Sequence, residues 1–279
     1  MSWKNKTVVV TGGGNGIGKA LCKRFSQEGA NVVVSDIDKD AAESVAKLVG
    51  GTSIACNVRE ESDIQALVAE AENTYGGIDL FCSNAGVAFG NGGPLATSAS
   101  NELWQANWEI HVMSHVWAAR AALPGMIKRG GGQFLHTASA AGLLNQVGDA
   151  AYSTTKHAAI GFAESLAISH ADQGIRVSVL CPQYIATNLI GTNFDQENDS
   201  GENLPEGVLT PAFVADCVLN ALEAGDFLVL PHPEVLKYFQ AKGENYNRWI
   251  GGMRKINRSV VGDSGEIDFG QANENATKK

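Results

Sequence analysis

Short runs of valine, isoleucine, leucine and phenylalanine alternate along this chain with longer stretches whose apolar positions follow a helical period. The runs at 6–10, 31–35, 52–56, 78–83, 133–139, 175–181 and 227–230 predict seven strands. The stretches at 16–28, 39–49, 61–75, 101–128, 152–173 and 211–223 predict the helices that separate them. Strand and helix in steady alternation make βαβ units, and such crossovers impose parallel pairing. The expected fold class is therefore α/β: a single doubly wound domain with a seven-stranded parallel sheet and helices on both faces.

Two segments break this rhythm. Residues 187–210 are long, polar and rich in asparagine, glutamate and glycine, and they leave a strand at its carboxyl end, where such sheets bind ligands. A lid over a substrate is expected there. Residues 234–258 regain helical character, with Tyr238, Phe239, Tyr246 and Trp249 as anchors. Residues 1–258 are thus expected to form one catalytic domain, including this helical extension, and 259–279 a polar, flexible tail.

Composition narrows the class. A formal charge of −9 argues against nucleic acid or an acidic membrane as partner. No apolar run is long enough to span a bilayer, and because the opening MSWKNKTVVVTGG reads as passing directly into a strand, no secretory leader is expected. The five cysteines, Cys22, Cys56, Cys82, Cys181 and Cys217, are scattered and set in apolar surroundings. They read as reduced thiols, and a cytoplasmic location is expected.

Candidate chemistry begins where the first strand ends. Thr11-Gly12-Gly13-Gly14-Asn15-Gly16-Ile17-Gly18 joins that strand to a helix. A backbone that must turn tightly, approach a pyrophosphate and pack helix on strand needs glycine, and the helix N-terminus favours negative charge. Asp36 ends the next strand, where a carboxylate accepts hydrogen bonds from ribose hydroxyls and repels a 2′-phosphate. Neither Ile37 nor Asn15 is basic, so the expected cofactor is NAD(H) over NADP(H).

Further on, Ser139 closes a strand, and Tyr152 and Lys156, four apart, share one face of a helix. With these residues in view, the chain resembles a classical short-chain dehydrogenase/reductase over about residues 4–232. Thr11, Gly12, Gly16 and Gly18 match the family's T-G-x-x-x-G-x-G, Asn84-Ala85-Gly86 its N-A-G motif, and Ser139, Tyr152 and Lys156 its serine and Y-x-x-x-K. Pro182-Gln183-Tyr184-Ile185-Ala186-Thr187 matches the proline motif after the sixth strand. The resemblance implies a Rossmann fold that holds the dinucleotide on Gly12, Asn15, Gly16, Ile17, Gly18, Asp36, Ile37, Asn57, Val58, Asn84, Ala85, Gly86, Tyr152, Lys156, Pro182, Ile185 and Thr187.

It also implies roles. Tyr152 would act as general acid/base toward an alcohol or ketone, with its phenolate favoured by the Lys156 ammonium; Lys156 would hold ribose hydroxyls, and Ser139 the substrate oxygen. The family's usual asparagine on the long helix is replaced by His111, expected to keep a lysine-linked water in place through its ring or its main-chain carbonyl. Asn57 replaces an aspartate, and Gln183 a glycine. Leu143, Leu144, Gln146, Gln183 and Tyr184 are expected to line a mainly apolar substrate site suited to a hydroxy-aromatic, steroid-like or terpenoid alcohol. The expected function is NAD(H)-dependent oxidation of a secondary alcohol to a ketone, or the reverse. A dinucleotide sensor that has lost catalysis, or a non-redox reaction on the same scaffold, is the alternative.

Two further patterns carry less. His111 and His115 form H-x-x-x-H, but no third ligand follows, so no metal is expected. Tyr238 and Lys242 repeat Y-x-x-x-K without the upstream serine and read as a surface or packing pair. Family members commonly pair their long helices, so a homo-oligomer, tetramer or dimer, is expected.

Overall fold

In the computed structural model, which describes residues 2–90, 95–187, 201 and 204–261, the seven strands form one sheet. They are β1 (Thr7–Thr11), β2 (Asn31–Asp36), β3 (Thr52–Ala55), β4 (Leu80–Ser83), β5 (Gly132–Thr137), β6 (Ile175–Leu180) and β7 (Leu228–Val229). The order is β3-β2-β1-β4-β5-β6-β7, with every pairing parallel. The sheet therefore winds outward in both directions from the β1/β4 boundary, and the crevice at the strands' carboxyl ends opens there.

Alternation along β1 explains the layers. Val8 and Val10 face one side, with α1 (Gly16–Gln27), α2 (Lys39–Val49) and α8 (Pro211–Ala224), whose Phe25, Val45 and Val218 complete that core. Val9 faces the other side, with α3 (Glu61–Tyr75), α5 (Ser114–Lys128) and α7 (Ala150–His170), which contribute Leu67, Ala122 and Ala163. Burying each of these valine, leucine and phenylalanine side chains contributes about 1.5–3 kcal/mol, and a strand enclosed on both faces reads as a continuous apolar run. Local signals set the boundaries: Asp38 and Asp149 cap α2 and α7 by accepting from Ala41 N and Tyr152 N, and Gly50 ends α2 at φ 65°.

Three expectations change. The helix foreseen over 101–128 is α4 (Asn101–Trp108), a π turn at Glu109–Met113, and α5. The turn has a side-chain cause: the Ser114 hydroxyl donates to Ile110 O at 2.6 Å, and Ser114 N reaches back to Glu109 O. His111 lies within it. The fifth strand stops at Thr137, so Ser139 stands beyond its end, ahead of a short helix α6 (Ala141–Leu144). The extension is two helices, α9 (Glu234–Glu244) and α10 (Tyr246–Val261), parted at Asn245. Of the expected lid, 188–200 and 202–203 lie outside the described residues, as does the tail from 262. The returning chain at Leu209 bridges Ile185 in parallel. Among the described residues no helix is long and apolar enough to cross a membrane.

Candidate active site

The glycine turn sits where β1, β4 and β5 end side by side. Thr11 Oγ1 accepts from Asn84 N at 3.0 Å and Ala85 N at 3.2 Å, and Asn84 Nδ2 donates to Thr11 O at 3.1 Å. Thr137 Oγ1 donates to Asn84 Oδ1 at 3.1 Å, so three strand ends are laced together. Gly12 has φ +64°, and a Cβ there would stand 2.9 Å from Ala85 Cα. A Cβ on Gly18 would stand 2.0 Å from Gly12 O, which makes Gly18 a packing glycine that does not itself face the cavity.

A cavity of about 380 Å³ opens over these ends. Its wall includes Gly12, Asn15, Gly16 and Ile17 from the turn, Asp36 and Ile37 after β2, Asn57 and Val58 after β3, and Asn84, Ala85 and Gly86 after β4. Ser139, Tyr152, Lys156, Pro182 and Gln183 line its far end, and Ile185 and Thr187 run back along the wall to Gly16. Sequence reasoning missed Arg59, Val87 and Ile110, which also line it. The Arg59 guanidinium is bound to the Glu109 carboxylate at 2.7 Å. Asp36 accepts from Gly14 N and Asp38 N, each at 3.0 Å, which fixes its carboxylate at the cavity edge.

At the far end, the Ser139 hydroxyl accepts from Ala141 N at 3.1 Å and lies 3.4 Å from Pro182 O. Lys156 Nζ donates to Thr137 O at 2.9 Å and stands 5.5 Å from the centre of the Tyr152 ring. Burial dominates both groups: it pushes the Tyr152 phenol up to about 12, against the pull of the Ser139 hydrogen bond, and the Lys156 ammonium down to about 7. In the protein alone the expectation that Lys156 lowers the tyrosine is not met: burial outweighs the one lowering contact, which comes from Ser139.

His111 is fully buried. Its Nε2 accepts from Val87 N at 3.1 Å, which places the ring proton on Nδ1, 3.0 Å from Thr155 Oγ1. Thr155 Oγ1 lies near Ala151 O and Tyr152 O, at 2.9 and 3.0 Å. Burial and the neighbouring Lys156 hold the imidazole neutral. Both nitrogens are thus engaged, so the ring has no polar atom left to hold a water, and only the main-chain carbonyl of the expectation survives. The His111 ring packs edge-on against the Tyr152 ring at 5.4 Å. His115 instead stacks on His136 at 4.7 Å, so the two histidines of H-x-x-x-H do not converge on one point. Among the described residues no cluster of histidine, cysteine and carboxylate suits a metal.

Asp149 was also missed, although an acid three residues before Tyr152 is a recognisable helix cap. Its second oxygen accepts from Gly90 N at 2.8 Å, so one carboxylate ties the loop after β4 to the start of α7.

The expected substrate residues divide. Gln183 lines the cavity, but Leu143 and Leu144 are turned by α6 into the core and do not. Gln146 is occupied locally, its N donating to Ser153 Oγ at 2.8 Å, and the Tyr184 carbonyl accepts from Leu209 N at 3.1 Å. Neither side chain contributes to the wall. Of the second Y-x-x-x-K, Tyr238 is exposed whereas Lys242 is buried, donating to Leu143 O and 3.3 Å from His157 Nε2.

The chain matches known proteins over most of its length. The sequence model for short chain dehydrogenases matches residues 6–198. The oxidoreductase UcpA of Salmonella typhimurium is 36% identical over 213 residues, 74% of this chain and 78% of that protein. A cyclohexanol dehydrogenase of Acinetobacter is 34% identical over 194 residues, covering 67% of this chain and 76% of that one. Among solved structures, a short chain dehydrogenase/reductase from Burkholderia phymatum in complex with NAD superposes with a TM-score of 0.78 at 25% identity, over 88% of this chain and 96% of that one.

Proposed function

We propose that this chain, which belongs to the short-chain dehydrogenase family, is an NAD(H)-dependent oxidoreductase that interconverts a mainly apolar secondary alcohol and its ketone. The observation that carries this reading is that Ser139, Tyr152 and Lys156 open onto the same cavity as the glycine turn and Asp36.

The residues present suit a nicotinamide dinucleotide. Gly12 and Gly16 keep the turn free of side chains at φ +64° and +52°. Asp36 offers a carboxylate to ribose hydroxyls at the edge. Arg59, a cation in that region, is already paired with Glu109, which weakens any pull it exerts on a 2′-phosphate. A bound nicotinamide supplies the hydride acceptor or donor. Ser139 orients the substrate oxygen and stabilises its developing charge, while Tyr152 takes the proton from the alcohol or returns it to the ketone. Lys156, hydrogen-bonded to Thr137 O, stands ready to exchange a proton near neutrality. The mainly apolar cavity wall, and the likeness to a protein named for cyclohexanol, support a secondary alcohol.

The test is to mix protein with NAD⁺ and a panel of secondary alcohols and follow NADH absorbance. Tight NADH binding with no turnover on any alcohol or ketone would replace this reading with the sensor; a cofactor that ends each cycle unchanged would replace it with non-redox chemistry. A homo-oligomer built on α5 and α7 belongs to the same proposal, and light scattering that shows a monomer at micromolar concentration removes it.

A further inference from the structure

Residues Pro182 to Thr187 form a strap across the cavity. At one end Pro182 O accepts from Ala140 N at 2.8 Å, next to Ser139. At the other, Thr187 lies against the glycine turn, where a Cβ on Gly16 would meet Thr187 Cγ2 at 3.0 Å. Pro182, Gln183, Ile185 and Thr187 all face the cavity. The strap therefore touches both the catalytic end and the phosphate-binding turn, and anything that sets its path sets the shape of the site.

Its middle is held by a residue outside every motif. His232 follows β7, is flanked by Pro231 and Pro233, and is 3% exposed. Its Nδ1 accepts from Gln183 N at 3.2 Å, and its Nε2, which must then carry the proton, donates to Gly207 O at 3.2 Å. Gly207 belongs to the returning chain, whose Leu209 bonds both neighbours of Ile185: Leu209 N donates to Tyr184 O, and Ala186 N to Leu209 O. One neutral imidazole thus joins the outgoing strap to the returning chain, one nitrogen to each. Nearby, the Gln183 amide lies 3.5 Å from Glu234 Oε1 at the start of α9.

We propose that His232 is a positioning residue for the dinucleotide site, holding the 182–187 strap against the glycine turn through the Gln183 N–H. This rests on the dinucleotide-binding function proposed above. His232 touches neither cofactor nor substrate; it acts through the backbone of Gln183. Removing it takes away the partner of the half-buried Gln183 N–H and the tie to the Gly207 carbonyl, and frees the strap to move.

The experiment titrates NADH into wild type and His232 variants by protein fluorescence, with kcat and KM measured on an alcohol that the wild type oxidises. Asparagine places an acceptor where Nδ1 stood, whereas glutamine places its donor where Nε2 stood. For His232→Ala we expect about a tenfold weaker NADH affinity and a matching rise in KM, with kcat at saturation within about twofold. His232→Asn should recover most of the affinity and His232→Gln should not. If Ala fails to fold, the Asn and Gln pair decides: tighter binding by Asn supports the proposal, and equal binding overturns it. Affinity within about twofold of wild type in the Ala variant also overturns it. A wild type that binds no dinucleotide would instead sink the parent reading, so the two failures are distinguishable.

Discussion

His111 Nδ1 stands 3.0 Å from Thr155 Oγ1, one residue before the lysine of the Y-x-x-x-K pair. With Nε2 held by Val87 N, the imidazole spans the loop after β4 and α7, and the π turn at Glu109–Met113 is what aims it there. His111→Ala removes the partner of the half-buried Val87 N–H and one of three contacts of the buried Thr155 hydroxyl, at about 1–3 kcal/mol in all. We expect a clear fall in melting temperature and lower turnover, with Thr155→Val reproducing part of both. Thermal melts together with steady-state rates check this, and full turnover by His111→Ala at every pH removes His111 from the site.

Tyr152→Phe removes the hydroxyl and keeps the ring. Turnover should fall by at least about a hundredfold, the usual scale of general acid–base catalysis, while NADH affinity stays close to wild type. Titration of NADH beside an activity assay separates this from a binding defect. Retained activity in the variant would assign the proton to another group.

The direction of the tyrosine shift fixes a pH dependence. Burial holds the phenol near 12, so the phenolate, the proton acceptor in the proposed reaction, becomes more populated as pH rises. A bound cationic nicotinamide lowers that value and brings the limb into reach. Alcohol oxidation should climb between about pH 7 and pH 10, and ketone reduction, which needs the neutral phenol, should decline through the same limb. Profiles of kcat/KM in both directions test it; limbs of the opposite sense would rule out Tyr152 as the base.

Lys156 makes a stability prediction of definite sign. Its value is about 7 in the folded protein against 10.5 for the free side chain. Between these values the unfolded chain binds more protons, so the burial penalty is full below about 7 and fades as pH approaches the free value. Lys156→Met should therefore be stabilised relative to wild type by more at pH 6 than at pH 10. Paired thermal melts at the two pH values measure the difference, and a gap that widens with pH contradicts the assignment.

Asp36→Asn keeps the shape of the strand end and removes its charge. Discrimination against NADP(H) should fall by at least about tenfold, since the repulsion of the 2′-phosphate is lost. The ratio of kcat/KM for the two cofactors is the readout, and an unchanged ratio would place cofactor choice elsewhere on the cavity wall.

Much of this protein follows from order along the chain. Val8, Val9 and Val10 are enclosed on both faces, which is why a parallel strand shows itself as an unbroken apolar run. The glycine turn is legible because backbone at φ +64° with no room for a Cβ admits little else. Leu143 and Leu144 pack in the core away from the cavity, and following Ser139 in sequence says nothing about which way a four-residue helix turns its side chains. The break in the long helix escaped notice because its cause, one serine hydroxyl capturing a carbonyl, leaves no trace in apolar periodicity.

The sequence by itself determined the sheet, its layers and the residues that approach the strands' carboxyl ends, since these depend on local period and on backbone freedom at glycine. Only the tertiary structure decided the protonation of the site. Burial moved Tyr152 and Lys156 toward their neutral forms, and contacts 24, 44 and 49 residues apart fixed the tautomers of His111 and His232. Desolvation and distant hydrogen-bond partners are properties of the folded volume, and no stretch of chain carries them alone.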